Sequence, residues 1–116
     1  MLTIWRNIVE LNVKFTDEQI DKIRQEGFIY TCACPSQVSE LIAYLRKLFS
    51  YQGSCATEGE SLLDIKTHEL IAEATFRAHE IMQQCLEDVL IHEKWDLETL
   101  DMPEGLRQRL DLKLSQ

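Results

Sequence analysis

Residues 62–94 read LLDIKTHELIAEATFRAHEIMQQCLEDVLIHEK, and this stretch determines the predicted architecture. The stretch contains neither glycine nor proline, the two residues that most disfavour the interior of a helix. Its apolar residues recur with the 3.6-residue period of a helix, which predicts one long amphipathic helix. The predicted inward face comprises Ile71, Ala74, Ala78, Ile81, Met82, Cys85, Val89 and His92. The predicted outward face comprises Glu69, Glu73, Arg77, Glu80, Gln84 and Glu87.

Shorter helices are predicted on both sides of this stretch. Thr16 and Gln19 have the spacing of a capping box, and Gly27 is typical of a helix end. Pro35 and Pro103 each suit the first turn of a helix, because a proline lacks only an N–H that has no partner there. Residues 51–59 contain two glycines and predict a loop. The sequence therefore predicts helices at 17–26, 35–51, 62–94 and 103–114.

The helix that begins at Pro35 has its own apolar stripe. Its members recur at i, i+3, i+4 and i+7, which predicts that they face the core. They are Val38, Leu41, Ile42, Leu45, Leu48 and Phe49.

The N-terminal segment is compatible with two structures. Ile4, Trp5 and Ile8 fit a helix, whereas residues 9–15 alternate between apolar and polar side chains as a half-buried strand would. Residues 27–32 are rich in aromatic and β-branched side chains, so a small two-stranded pairing with residues 9–15 is one alternative. We expect a mainly α protein, an antiparallel bundle of about four helices that forms a single domain over residues 1–116.

Length and composition are those of one globular domain. The chain has 116 residues, of which 45% are hydrophobic and 28% are charged. No apolar run approaches the roughly 20 residues that span a bilayer, so we expect no membrane association. The N-terminus has no basic region followed by an apolar stretch, so we expect a cytoplasmic protein without a signal peptide.

Charge is distributed unevenly along the chain. Residues 58–104 carry thirteen acidic residues against three basic ones, a net charge of −10, whereas the whole chain carries −8. Such a block repels phosphate backbones, and we therefore expect no nucleic-acid partner. The acidic residues either form a solvated face that keeps the protein in solution or provide a docking surface for a basic protein.

No catalytic motif is present in the sequence. It has no phosphate-binding glycine loop, no nucleophile elbow and no His-Glu-x-x-His pair. His79 and Glu80 are adjacent, but neighbouring residues of a helix point about 100° apart and cannot act together. A non-enzymatic role is therefore expected.

A pair of cysteines is the sharpest chemical feature. Cys32 and Cys34 lie directly before the predicted helix 35–51, where unpaired amides and the helix dipole favour a thiolate. That helix would be roughly 25 Å long, which places Cys55 at its other end. If the long helix runs back antiparallel, residues 78–83 come level with the start of helix 35–51, and Cys85 approaches the pair.

These positions define a candidate metal site. Cys32, Cys34 and Cys85, together with His79 on the flank of the long helix, could ligate Zn or Fe. The same thiols could instead form a reversible disulfide with Cys85. The structural alternative is that these cysteines are small apolar residues without chemistry.

Two hypotheses for function follow. The first is a small cytosolic helical interaction or regulatory module that acts through an acidic helical surface on a protein partner and self-associates. Its motive is that Leu86, Leu90, Ile91 and Trp95, at the far end of the long helix, need cover from the terminal segments or from a second copy. The second hypothesis is the thiol-based metal or redox protein.

Overall fold

The computed structural model describes residues 10–29, 33–58 and 62–105, and the side chains of all of these except 28, 29, 55–58 and 62–64. Within these ranges the protein consists of three helices and no strand: α1 (Asp17–Ile29), α2 (Cys34–Glu58) and α3 (Leu62–His92). The prediction of a mainly α protein is confirmed. None of the described helices is both long enough and apolar enough to cross a membrane.

The N-terminal cap of α1 is the predicted capping box. The backbone N–H of Gln19 donates to Thr16 Oγ1 at 3.1 Å, and the backbone N–H of Thr16 donates to Gln19 Oε1 at 2.8 Å. The predicted end at residue 26 is wrong, because α1 continues through Gly27 to Ile29. A Cβ atom on Gly27 would lie 2.8 Å from the backbone N of Ser36. The glycine therefore permits α1 and α2 to approach each other closely, and it does not end the helix.

Helix α2 is longer than predicted. It spans 25 residues and includes residues 51–58 of the segment 51–59 that was predicted to form a loop. A glycine inside a helix costs only about 1 kcal/mol. Contacts with α3 offset this cost, since the Phe49 and Phe76 rings lie 6.5 Å apart and Gln52 Oε1 lies 2.5 Å from His68 Nδ1.

The three helices form two antiparallel hairpins that share α2. Asp17 at the start of α1 contacts Arg46 in the second half of α2, and Gly27 near the end of α1 approaches Ser36 near the start of α2. The main core lies where the three helices meet the turn after α3, and a smaller apolar cluster lies around Phe49. The main core comprises Phe15, Ile20, Ile23, Ile42, Leu86, Leu90, Trp95, Leu100 and Met102.

The alternative of a small β pairing finds no support in the described residues. Residues 10–16 form no strand, and residues 27–29 belong to α1, while Val9 and residues 30–32 lie outside the described ranges. The physical reason is visible at Gln83, whose side chain takes the place of a partner strand. Its Oε1 accepts from the backbone N–H of Lys14 at 2.8 Å, and its Nε2 donates to the carbonyl of Asn12 at 2.6 Å.

The turn after α3 closes the main core. Asp96 Oδ1 accepts from the backbone N–H groups of Glu98 and Thr99 at 2.8 and 3.0 Å and so caps this turn. Lys94 and Leu100 both adopt positive φ angles, of 64° and 60°, where the chain reverses direction. Of the predicted helix 103–114, only residues 103–105 lie within the described ranges, and residues 104–105 are helical.

Candidate functional site

The buried face of α3 differs from the predicted one. Ile81 is 67% exposed and Ala74 and His92 are also exposed, although all three were assigned to the inward face. The face that packs against α2 is displaced by about one residue, or 100°, around the helix. It comprises Glu69, Ala72, Thr75, His79, Gln83, Leu86 and Leu90. Four of these seven are polar, so hydrophobic periodicity alone could not locate the face.

Arg46 of α2 organises the polar part of this face. Its Nε donates to His79 Nε2 at 2.9 Å, and its Nη2 donates to Gln83 Oε1 at 3.0 Å and to the Phe15 carbonyl at 2.6 Å. Its Nη1 forms an ion pair with Asp17 Oδ1 at 2.7 Å. The Arg46 side chain is only 13% exposed. One guanidinium therefore connects α1, α2, α3 and the segment that precedes α1.

The bonding of His79 determines its protonation state. The imidazole is fully buried, and because Nε2 accepts from Arg46, the ring proton of the neutral form lies on Nδ1. Burial, and to a smaller extent the positive charge of Arg46, lower the pKa of His79 from its ordinary value of 6.5 to about 4. Nδ1 is itself buried and has no hydrogen-bond partner among the residues that the structure describes.

This network is suited to holding the fold together and not to acid–base catalysis. His79 has no exposed surface through which it could reach a substrate, and Arg46 has committed all three of its nitrogens. The network holds residues 12–15 against α3. His79, which was predicted on the flank of α3 as a metal ligand, is therefore engaged as an acceptor for Arg46.

The remaining predicted ligands lie as follows. Cys34 is exposed at the first residue of α2, Cys85 is half-buried on α3, and Cys32 lies outside the described residues. Across the described ranges, no three His, Cys, Asp or Glu side chains are close enough together to hold a metal ion. Because Cys32 is not among the residues searched, the set of Cys32, Cys34, Cys85 and His79 stays a prediction.

The register that motivated the thiol cluster is wrong. Arg46 of α2 lies level with His79 of α3, and Phe49 lies level with Phe76, which fixes the antiparallel register of the two helices. When this register is continued along α3, a residue near position 91, and not residues 78–83, lies level with the start of α2. The displacement follows from the continuation of α2 to Glu58. Cys85 consequently lies about six residues, or about 9 Å along the helix axis, from the level of Cys34.

The far end of α3 is covered within the chain. Leu86 and Leu90 are fully buried and Trp95 is 4% exposed, whereas Ile91 is 54% exposed. The turn after α3 and helix α1 contribute most of the surrounding side chains. The original reason for expecting a second copy, uncovered side chains at this end, therefore does not hold for these three residues.

A different apolar surface is exposed on α2. We call it the α2 stripe and define it by Leu41, Tyr44, Leu48 and Tyr51, which are 45%, 73%, 39% and 63% exposed. Leu41 and Leu48 were predicted to face the core together with Ile42 and Phe49, but only the latter two are buried. The signal that could have revealed the stripe is its own spacing of three, four and three residues.

The acidic residues of α3 are partly neutralised by neighbouring bases. Arg77 forms an ion pair with Glu73 one helical turn away, and Lys14 Nζ lies 3.6 Å from Glu87 Oε2. Glu69 is buried. The outer face of α3 is therefore less uniformly acidic than the sequence suggests.

The chain matches no protein-family model, no curated protein and no solved structure.

Proposed function

We propose that this protein is a small cytosolic, non-enzymatic helical interaction module that self-associates through the α2 stripe. The observation that carries the proposal is the exposure of four large apolar side chains on one face of α2. The cytosolic location rests on the four cysteines. A chain of 116 residues can bury a core without disulfides, so its thiols are expected to stay reduced, as they do in the cytosol.

The extent of the stripe supports an interface. Tyr44 and Tyr51 each leave more than half of their surface exposed, and monomeric proteins rarely expose large contiguous apolar patches. Leu41 and Leu48 extend the same surface along three turns of the helix. A stable interface buries about 800 Å² on each partner, so the stripe would form its apolar centre and the polar side chains beside the stripe would form its rim.

The pattern of the stripe favours a second copy of the chain as the occupant. A spacing of three, four and three residues is that of the seam between two packed helices. One edge of the stripe carries Glu40 and Lys47, one heptad apart and both exposed. In an antiparallel pair with its two-fold axis near Tyr44, Glu40 of each copy faces Lys47 of the other. Leu41 then faces Leu48 across the same axis.

Sedimentation equilibrium of the full chain tests this proposal. We expect the wild type to form dimers at micromolar concentration. Tyr44→Lys places two like charges at the two-fold axis, so this variant should sediment as a monomer. The matched control is Ile81→Lys, which makes the same kind of change at a residue of similar exposure on α3 and should leave the dimer intact.

The proposal fails if the wild type is monomeric at high micromolar concentration. It also fails if Ile81→Lys dissociates the dimer as fully as Tyr44→Lys does, because self-association would then not depend on the stripe. Circular dichroism of both variants shows whether each retains the helical content of the wild type.

A further inference from the structure

A groove opens on the side of α2 that faces away from the stripe. It has a volume of 780 Å³ and lies between the segment before α1, the first turn of α1 and the second half of α2. No residue of the α2 stripe lines it. The volume falls within the range of about 300–1,000 Å³ that is typical of binding pockets, so the groove can hold several side chains of a partner.

The floor of the groove is apolar. Val13 is 56% exposed, Leu11 is half-buried and Phe49 is 7% exposed beneath them. Residues 12–15 are held in place by Gln83 and Arg46, so the backbone that presents Val13 is anchored to α3. The floor is thus an apolar surface fixed by the buried network.

The rim of the groove is acidic. Glu10, Asp17 and Glu18 border it, and all three are exposed. Among the described residues that line the groove, Arg46 is the one basic residue, and its Nη1 pairs with Asp17 while its other nitrogens point to His79, Gln83 and Phe15. Its charge is therefore directed into the protein, and the rim presents net negative charge to a ligand.

We infer that the groove docks a basic, amphipathic peptide segment of a partner protein. Apolar side chains of that segment contact Leu11 and Val13, and its Lys or Arg side chains face Glu10 and Glu18. This surface is separate from the α2 stripe, so the docking site does not require the proposed self-association.

Fluorescence anisotropy with two labelled synthetic peptides tests the inference. The first peptide is a helix-forming sequence with leucines at i, i+3, i+4 and i+7 and lysines elsewhere, and the second has glutamate in place of every lysine. We expect the basic peptide to bind the full chain, with an affinity that falls as salt rises, and the acidic peptide to bind at least about tenfold more weakly. Tyr44→Lys should bind the basic peptide as the wild type does, which separates this inference from the proposal of self-association.

A matched pair of charge reversals locates the site. Glu10→Lys should raise the dissociation constant about fivefold or more, whereas Glu98→Lys, which makes the same charge change in the turn after α3, should not. Val13→Ser should weaken binding without changing its dependence on salt. Equal effects of Glu10→Lys and Glu98→Lys, equal binding of both peptides, or no binding of either would each overturn the inference.

Discussion

Arg46 Nε donates a hydrogen bond of 2.9 Å to His79 Nε2, so the arginine requires a histidine that is not protonated at that nitrogen. His79 is fully buried, and the Arg46 side chain is only 13% exposed. A second positive charge beside the guanidinium would be unfavourable in this environment. The pair thus links the protonation of one residue to the stability of the whole bundle.

The first prediction concerns pH. Because the pKa of His79 falls from 6.5 in the unfolded chain to about 4 in the fold, the unfolded state binds an extra proton between these values. The contribution of neutral His79 to the free energy of unfolding is fully present above pH 6.5. It decreases by up to about 3 kcal/mol as the pH falls to about 4. His79→Gln retains an acceptor for Arg46 without titrating, so its free energy of unfolding should not fall from this cause.

Urea denaturation of both proteins at pH 7, 5.5 and 4 measures this effect. Carboxylates titrate in both proteins, so the informative quantity is the difference between their free energies of unfolding. We expect the difference to move in favour of His79→Gln as the pH falls. Parallel pH profiles would show that His79 does not remain neutral in the fold.

The second prediction concerns Gln83, which is 1% exposed. Gln83→Leu removes the partners of the Asn12 carbonyl and of the Lys14 N–H, and leaving such groups unsatisfied should cost about 3 kcal/mol. Gln84→Leu is the matched control on the exposed face and should change stability by less than about 1 kcal/mol. Hydrogen exchange at Lys14 should accelerate in Gln83→Leu alone, and unchanged protection there would contradict the assigned role.

The third prediction reverses the usual order of helix propensities. Alanine is favoured over glycine by about 1 kcal/mol inside a helix, yet Gly27→Ala should destabilise the protein by about 1–3 kcal/mol. The added Cβ would lie 2.8 Å from the backbone N and 2.9 Å from the Cβ of Ser36. Gly105→Ala is the control, since its Cβ would meet nothing within 4 Å. Thermal unfolding of both variants gives the comparison, and a stabilised Gly27→Ala would disprove the close approach of α1 and α2.

The helices could be predicted because their signals are local. The capping box at Thr16, the proline at residue 35 and the uninterrupted residues 62–94 each depend on neighbours within a few positions. The end of α1 and the length of α2 could not be predicted, because Gly27 lies where α1 closely approaches α2, and Gly53 lies within a helix that packs against α3. Tertiary contacts decided both boundaries.

The buried face of α3 was mispredicted for a related reason. His79 and Gln83 are polar, so a hydrophobic wheel assigns them to solvent, and only their partners on α2 and before α1 make their burial favourable. Those partners lie 33 to 71 positions away in the sequence. Because the predicted face of α3 was displaced, Ile81 was assigned to the core although it is exposed. The exposed α2 stripe was not predicted either.

Our claim that two copies of the chain pack antiparallel through the α2 stripe is tested by a charge-reversal cycle at Glu40 and Lys47. Sedimentation equilibrium gives the dimer dissociation constant of the wild type, Glu40→Lys, Lys47→Glu and the double variant. Each single reversal should weaken the dimer about tenfold, since it places like charges at two symmetric positions, and the double variant should return to nearly the wild-type value. A double variant as weak as the single variants, or single variants that match the wild type, would contradict the claim.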